Sequence, residues 1–260
     1  VRAMPRKRGS ARRRRRRGSL GPLLRVLSVV LAAVAIVAAL TLFFKVDEVQ
    51  VTGGGRYTEE EIRSASGVEQ GDNLILLDKY RIAQRIYTAL PYITEVRINR
   101  QLPDVLLVEV VETQAVAAVQ GAGAWWLVSP TGKVLEAVDS EAAQDYLILE
   151  GMTAQDPAAG ERLTLSEEDN LDAETLISLL SAMETRGVLT RTDSVDASDP
   201  EQLVLDYDGR FRVEIGYDAD FGFKMDCLVA AVATFQPNET GIIRMTMSND
   251  SEVRFIPDGG

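Results

Sequence analysis

The longest uninterrupted apolar stretch of the sequence lies near its N-terminus. Residues 26–44, VLSVVLAAVAIVAALTLFF, contain no charge, and Ser28 and Thr41 are their only polar side chains. As a helix this stretch rises roughly 28 Å, which is close to the thickness of the hydrocarbon core of a bilayer. Arg25 and Lys45 flank the run, and their long side chains can reach the two interfaces. The pattern predicts a single transmembrane helix over residues 26–44.

Residues 46–112 follow a compact succession of strand and helix patterns. Val46–Val51 alternates as a strand does, and the glycine triplet that follows ends it. Thr58 and Glu61 have the spacing of a capping box, which predicts a short helix that stops at Gly67. The later pattern predicts a helix capped by Asp78 with Ile82, Ile86 and Leu90 inward, then strands Ile93–Arg100 and Val105–Val111. The predicted order is β-α-α-β-β.

The rest of the chain, residues 114–257, has the pattern of a β-rich unit with two helices. The predicted elements are a hairpin from Trp125 to Glu136, a strand Leu147–Leu149 closed by Gly151, a helix capped by Ser166 and ending near Arg186, a hairpin Leu203–Ile215 around Asp208-Gly209, a helix Asp220–Phe235 with Val229 among its inward residues, and terminal strands Ile242–Met247 and Glu252–Ile256. One of Trp125 and Trp126 is expected to face inward and the other solvent. The whole chain is predicted to be α+β.

Charge divides the chain into two unlike parts. Residues 1–45 hold twelve Lys and Arg and no Asp or Glu, whereas the remaining 215 residues carry a net charge of −23. Because cytoplasmic flanks of membrane helices are enriched in Lys and Arg, residues 1–25 are expected in the cytoplasm and the body of the chain outside. A cleaved signal peptide is the competing interpretation, but the apolar run is too long and ends in bulky residues.

The arginine run Arg12–Arg17 has two interpretations. It resembles a nucleic-acid-binding patch in composition, but it lies only eight residues before the apolar run. Basic residues so close to a membrane are attracted to anionic lipid head groups, at about 1 kcal/mol each. We therefore expect the run to set topology and contact anionic lipid, with no nucleic-acid partner.

The residue inventory limits the chemistry that the chain can perform. The sequence has no histidine and a single cysteine, Cys227, which excludes Ser-His-Asp and Cys-His catalysis and an internal disulfide. The paired carboxylates lie at expected helix starts or turns, where Asp and Glu are favoured for local reasons. The Gly53-Gly54-Gly55 triplet lacks the Gly-Lys-Ser/Thr of a phosphate loop. No catalytic residue, metal site or cofactor is predicted, and Cys227 is expected in the core or at its boundary.

Several segments resemble the FtsQ/DivIB bacterial cell-division proteins. Those segments are VDEVQVTGGGRYTEEEI, LPYITEVRINRQLPDVLLVEV, WWLVSPTGKVLE and RFRVEIGYDADFGFKMDCLVAAVATF. The resemblance implies a basic cytoplasmic tail over residues 1–25, a transmembrane helix over 26–44, a POTRA domain over 46–113, a β domain over 114–257 and a tail over 258–260. Ala115 stands where the family usually has a proline after Glu112.

The resemblance also implies a non-enzymatic, single-pass scaffold of the divisome at the septum. Its implied partners are the bitopic division proteins FtsL and FtsB (DivIC in Gram-positive bacteria), bound by β-strand addition. The residues matching the family's partner-binding strands are Thr246, Met247, Ser248, Glu252, Val253, Arg254, Phe255 and Ile256. The POTRA strand Ile93–Arg100 is a second candidate edge. Which sheet edge is open cannot be read from these patterns.

Two other functional classes fit parts of the sequence. A membrane-anchored sensor could signal through the basic tail, and deletion of residues 2–17 would separate that function from a scaffold acting outside. An outer-membrane assembly protein would need a C-terminal barrel of about eight or more strands, for which the sequence has no pattern.

Overall fold

The computed structural model describes residues 21–217, 220–245 and 253–258 of the chain. It begins with a helix, α1 (Gly21–Phe43), whose described side chains from Leu24 to Val37 are mostly exposed. Among the described residues no helix is both long and apolar enough to cross a membrane, and the transmembrane helix predicted over 26–44 is not supported there. The N-terminal part of the predicted basic tail, residues 1–20, lies outside the described residues.

The first folded unit follows α1 and has the predicted β-α-α-β-β order. Its elements are β1 (Glu48–Thr52), α2 (Glu59–Ser66), α3 (Lys79–Ala89), β2 (Ile93–Gln101) and β3 (Val105–Glu112). The strands form the small sheet, in which β3 lies between β1, parallel to it, and β2, antiparallel to it. Both helices pack on one face of this sheet, because Ile62 of α2 and Ile86 of α3 are buried in the same cluster as Val108 of β3.

Local sequence signals set the helix ends in this unit. Thr58 and Glu61 form both halves of the predicted capping box, and Gly67 closes α2 in the left-handed conformation with φ 61°. Asp78 caps α3 by accepting hydrogen bonds from the backbone N–H groups of Tyr80 and Arg81. These predictions are confirmed to within a residue or two at each end.

The second unit is built on a long mixed sheet, the large sheet. Its elements are β4 (Ala117–Gly121), β5 (Ala124–Val128), β6 (Val134–Val138), α4 (Ser140–Ala143), β7 (Leu147–Thr153), α5 (Ala173–Thr185), a 3₁₀ turn (Leu189–Arg191), β8 (Thr192–Asp196), β9 (Leu203–Tyr207), β10 (Phe211–Ile215), α6 (Phe221–Val232), β11 (Gly241–Met245) and β12 (Arg254–Pro257). Among the described residues the strand order is β12-β11-β10-β9-β8-β7-β4-β5-β6. Helices α5 and α6 cover one face, and the main core lies beneath them.

Several expectations for the second unit are wrong in detail. Helix α5 is capped by Asp172 rather than by Ser166. The reason is that the Ser166 hydroxyl accepts from the Glu168 N–H in a local turn, and the Asp169 carboxylate accepts from the Thr153 N–H of β7. Strand β7 continues through Gly151, which has φ 69° within a bulge. Strands β4 and β8 and the short helix α4 have no counterpart in the predicted pattern.

Exposure on α6 and β5 also departs from expectation. Val229 of α6 is 42% exposed, so it does not lie on the inward face of that helix. Trp125 and Trp126 are both half-buried: Trp126 packs against the main core, and Trp125 packs against a small cluster on the opposite face of the large sheet. The expected alternation of these two side chains is present, but both sides of β5 are covered. The predicted hairpin between β9 and β10 is confirmed, with positive φ at both Asp208 and Gly209.

Candidate partner-binding edge

Strand β12 lies at one end of the large sheet. It pairs antiparallel with β11, in a register that places Arg254 opposite Arg244 and Pro257 opposite Gly241. Within the described residues no strand pairs with its other side. Such an edge leaves a row of backbone donors and acceptors available to an added strand.

The hydrogen-bonding alternation shows which backbone groups point outward. The N–H of Asp258 donates to the carbonyl of Thr240, one step beyond the last aligned pair. Opposed residues in antiparallel strands alternate between hydrogen-bonded and non-hydrogen-bonded pairs. Since Asp258 and Thr240 form a hydrogen-bonded pair, Phe255 and Ile243, three positions along the strands, form a non-hydrogen-bonded pair. The N–H and carbonyl of Phe255 therefore point away from β11. Continuing the alternation, those of Val253 do the same.

The side chains of β12 hold the strand firmly against the core on one face. The Phe255 ring lies 4.4 Å from the Phe235 ring and 6.1 Å from the Phe211 ring, measured between centroids. Val253 also packs against the main core. Since a preordered strand has less freedom to lose on binding, this aromatic anchoring favours strand addition at this edge.

The opposite face of the same edge is charged. The Glu214 carboxylate lies on β10, on the far side of β11 from β12; it is buried and accepts from Arg244 Nε at 2.6 Å. Arg254 stands next to Arg244 across the β11–β12 pair and is exposed. A charged outward side chain guards an edge strand against non-specific pairing while leaving its backbone groups free.

The structure places only part of the predicted partner-binding set. Val253 directly precedes β12, and Arg254, Phe255 and Ile256 belong to it, whereas Glu252 lies outside the described residues. The remaining predicted residues of the preceding segment, Thr246, Met247 and Ser248, also lie outside the described residues. The four described residues share one edge, and their role in binding stays a prediction.

A second polar cluster, which the sequence reasoning missed, joins the two units. Glu136 of β6 accepts a hydrogen bond from the Tyr92 hydroxyl and pairs with Arg56 at 2.9 Å. The Arg56 guanidinium also lies 3.7 Å from the centroid of the Tyr92 ring. Burial and the hydrogen bond to Glu136 raise the pKa of Tyr92 well above its ordinary value, so this hydroxyl stays a donor. No local signal marks these residues, because each of their contacts joins positions far apart in sequence, 44 apart for Tyr92 and Glu136 and 80 apart for Arg56 and Glu136.

The glycine-rich loop after β1 is held by a carboxylate. Glu112, at the end of β3, accepts hydrogen bonds from the backbone N–H groups of Gly55 and Arg56 at 2.8 Å and of Tyr57 at 3.1 Å. These are the donors that a phosphate loop would direct at its ligand. These donors are occupied within the domain, and the loop anchors α2 to β3.

The other candidate reactive groups have structural surroundings. Cys227 is half-buried on α6 and packs against the main core, as predicted. In the described part of the chain, no three His, Cys, Asp or Glu residues are grouped so that they could hold a metal ion. Asp208 lies at the β9–β10 turn between Arg191 and Arg210, and the hydrogen bond from Arg191 lowers the pKa of its carboxyl.

Comparison with known proteins identifies the first unit. Residues 44–113 match the family model described as "POTRA domain, FtsQ-type". This segment is similar to FtsQ-type POTRA domains, and we refer to it as the POTRA domain. The match contains the small sheet with α2 and α3, and it confirms the fold predicted for this part of the chain.

Curated relatives extend the likeness beyond the POTRA domain. The chain is 28% identical to cell division protein FtsQ of Syntrophotalea carbinolica over 72% of its own length and 64% of the relative's. It is 30% identical to FtsQ of Corynebacterium glutamicum over 42% of its length and 48% of the relative's, and 24% identical to cell division protein DivIB of Clostridium botulinum over 55% and 56%. These matches cover less than two thirds of each relative. The predicted resemblance to FtsQ/DivIB proteins is confirmed.

The edge of the POTRA domain formed by β2 is less accessible than that of β12. The Val96 N–H, on the outer side of β2, donates to the Tyr87 hydroxyl at 2.9 Å and is therefore not available to a partner strand. Near the start of β2, Lys133 Nζ donates to the Ile93 carbonyl at 2.7 Å. Part of this second candidate edge is therefore covered by the chain's own side chains.

The far edge of the large sheet is also covered. On β6, the Val134 N–H donates to the Glu161 carbonyl, and the Val134 carbonyl accepts from the Gly160 N–H. An isolated bridge between Lys133 and Arg162 extends this pairing. The β2 and β6 edges are thus each partly covered, whereas no outward backbone group of β12 has a hydrogen-bond partner among the described residues.

Proposed function

We propose that this chain is a non-enzymatic, single-pass scaffold of the bacterial divisome, which binds FtsL-like and FtsB/DivIC-like partners outside the membrane. In this proposal the POTRA domain covers residues 46–113 and the β domain residues 114–257. Homology to FtsQ and DivIB cell division proteins supports the general role in division. The site, the partners and the topology are the proposed parts.

Membrane anchoring through the apolar run 26–44 belongs to the proposal. The sequence of this run is uncharged, and α1 exposes its apolar side chains, Leu31 by 70% and Val29 by 68%. Such exposure of apolar side chains along residues 24–39 is costly in water and is typical of a lipid-facing surface. The basic residues before the run support a cytoplasmic N-terminus in contact with anionic lipid head groups, and a C-terminal body outside at the septum.

The observation that carries the proposed binding mode is the outer edge of β12. Its outward N–H and carbonyl groups, at Val253 and Phe255, have the spacing that a partner strand requires. The residues proposed to form the site are Thr246, Met247, Ser248, Glu252, Val253, Arg254, Phe255 and Ile256.

A matched pair of variants tests this binding mode. Val253→Pro removes one outward N–H and places the proline ring where a partner strand would lie, whereas Val253→Ala shortens the side chain and keeps the donor. Because this N–H is not used by β11, both variants should fold with unchanged circular dichroism. We expect Val253→Pro to reduce co-purification of the FtsL-like and FtsB/DivIC-like partners about tenfold or more, and Val253→Ala to change it little. Equal capture by both folded variants would exclude the β12 edge.

A further inference from the structure

The POTRA domain has two unlike ends. At one end, the loop that starts at Gly53 and the residues around Tyr92 contact the β domain. At the other end the chain arrives from α1: the Phe44 carbonyl accepts from the Leu74 N–H at 2.9 Å, and the Val46 N–H donates to the Asp72 carbonyl at 2.8 Å. The end near α1 therefore lies within a few residues of the proposed membrane surface.

Most exposed large apolar side chains of the POTRA domain lie at the α1 end. Leu76 is 73% exposed, Ile75 39%, Tyr80 74% and Leu102 60%; these four residues are called the apolar rim. Only Val111, at 51%, is a comparable exposed side chain elsewhere in the described POTRA residues. Single exposed apolar residues need no explanation, but four at one end of a small domain indicate a contact surface.

Backbone contacts fix the rim beside the end of α1. The Leu76 N–H bonds the Asn73 carbonyl, and Lys45 pairs with Asn73 in an isolated β-bridge. On the other side, the turn that carries Leu102 is held by its Asp104 carbonyl, which accepts from the Asp47 N–H at 2.9 Å. Both segments of the rim are thus hydrogen-bonded to the first residues after α1 and cannot move far from them.

Charges of both signs border the rim: acidic Asp47 is exposed and Asp104 half-buried, and basic side chains lie beside them. Lys45 and Arg81 are exposed next to it, and Lys79 is half-buried at the start of α3. The nearby carboxylates of Asp72 and Asp78 already accept backbone N–H groups of Glu69 and of the first turn of α3. Apolar side chains and a tyrosine flanked by basic residues are the composition of segments that lie in the head-group region of a bilayer.

We infer that the apolar rim is a membrane-contact surface, which inserts into the head-group region of the outer face of the bilayer beside α1. This inference rests on the proposed membrane anchor. It gives the POTRA domain a second attachment to the bilayer besides the chain linkage at Phe44. The domain is thereby held against the surface, with its β-domain end directed away.

The test uses full-chain variants that each carry one cysteine for labelling. Cys227→Ala removes the only native thiol. Leu76→Cys and Leu102→Cys then carry an environment-sensitive fluorophore in the rim, and Val229→Cys carries it at an exposed apolar position on α6 of the β domain. The protein is reconstituted into vesicles of phosphatidylcholine with a minority of phosphatidylglycerol, and flotation identifies the bound fraction.

The expected result is blue-shifted emission at positions 76 and 102, with several-fold stronger quenching by lipid-borne nitroxide than at position 229. If the protein floats with the vesicles but the labels at 76 and 102 show the same emission and quenching as the label at 229, the membrane contact is overturned and the proposed anchor is left intact. Protein that fails to float would overturn the anchor and this inference together.

Discussion

The contact between Glu112 and the glycine-rich loop gives a sharp test of how the POTRA domain is held together. Replacing Glu112 by Ala removes the acceptor of three backbone N–H groups, those of Gly55, Arg56 and Tyr57. Two of these bonds are exposed and one is partly buried, so water replaces part of what is lost. If each of the three hydrogen bonds contributes somewhat under 1 kcal/mol of net stability, their removal should lower the local stability of the loop by about 2 kcal/mol.

Hydrogen exchange followed by mass spectrometry on the full chain measures this loss where it occurs. A local destabilisation of about 2 kcal/mol corresponds to roughly 30-fold faster exchange of the amides at 55–57. Glu109→Ala is the matched control, because it removes the same charge from the same strand, and within the described part of the chain Glu109 accepts only from the Asn99 side chain. Equal exchange at 55–57 in Glu112→Ala and in the unaltered protein would show that Glu112 does not stabilise this loop, and equal acceleration by Glu109→Ala would show that the effect is not specific to these hydrogen bonds.

Two further predictions concern turns. Gly53→Ala should destabilise the protein by roughly 2 kcal/mol more than Gly71→Ala, measured by denaturant unfolding. Both glycines have positive φ, but only at Gly53 would an added Cβ meet the Val110 carbonyl oxygen, at 2.1 Å. Equal losses of stability in the two variants would contradict this. Asp208→Asn should lower the free energy of unfolding by about 1 kcal/mol at pH 7. The asparagine keeps the turn, but it lacks the charged carboxylate that accepts from Arg191. Because the folded-state pKa of Asp208 is lowered, its contribution is complete above the unfolded pKa of about 3.9 and is lost as the pH falls through the lower folded value. The stability difference between the two proteins should therefore shrink in acid, and a difference independent of pH would contradict the assignment.

Local chemistry made part of the fold predictable from sequence. The capping box at Thr58 and Glu61 and the Asp208-Gly209 turn depend on neighbouring residues alone, and both are confirmed. Strand β4 was not predicted because its residues are nearly all buried and show no alternation. The start of α5 was misplaced because Asp169, which redirects that segment, bonds to a residue sixteen positions away.

The candidate site was predictable only in part for a related reason. The terminal strand could be predicted from its pattern, but its place at the sheet edge depends on the order of all the other strands. Pro257 is consistent with an edge, since a proline has no N–H for a ladder, yet one proline does not determine strand order. The cluster formed by Arg56, Tyr92 and Glu136 was missed because each residue alone has an ordinary surface character.

The most direct test of the proposed function follows the backbone amides of Val253 and Phe255 in the full chain, alone and in complex with its FtsL-like and FtsB/DivIC-like partners. Strand addition at β12 predicts that both amides exchange rapidly in the free protein and become strongly protected in the complex. The amide of Arg254, which faces β11, should be protected in both. If the complex forms while the amides at 253 and 255 remain as exposed as before, the partners bind elsewhere and the proposed site is wrong.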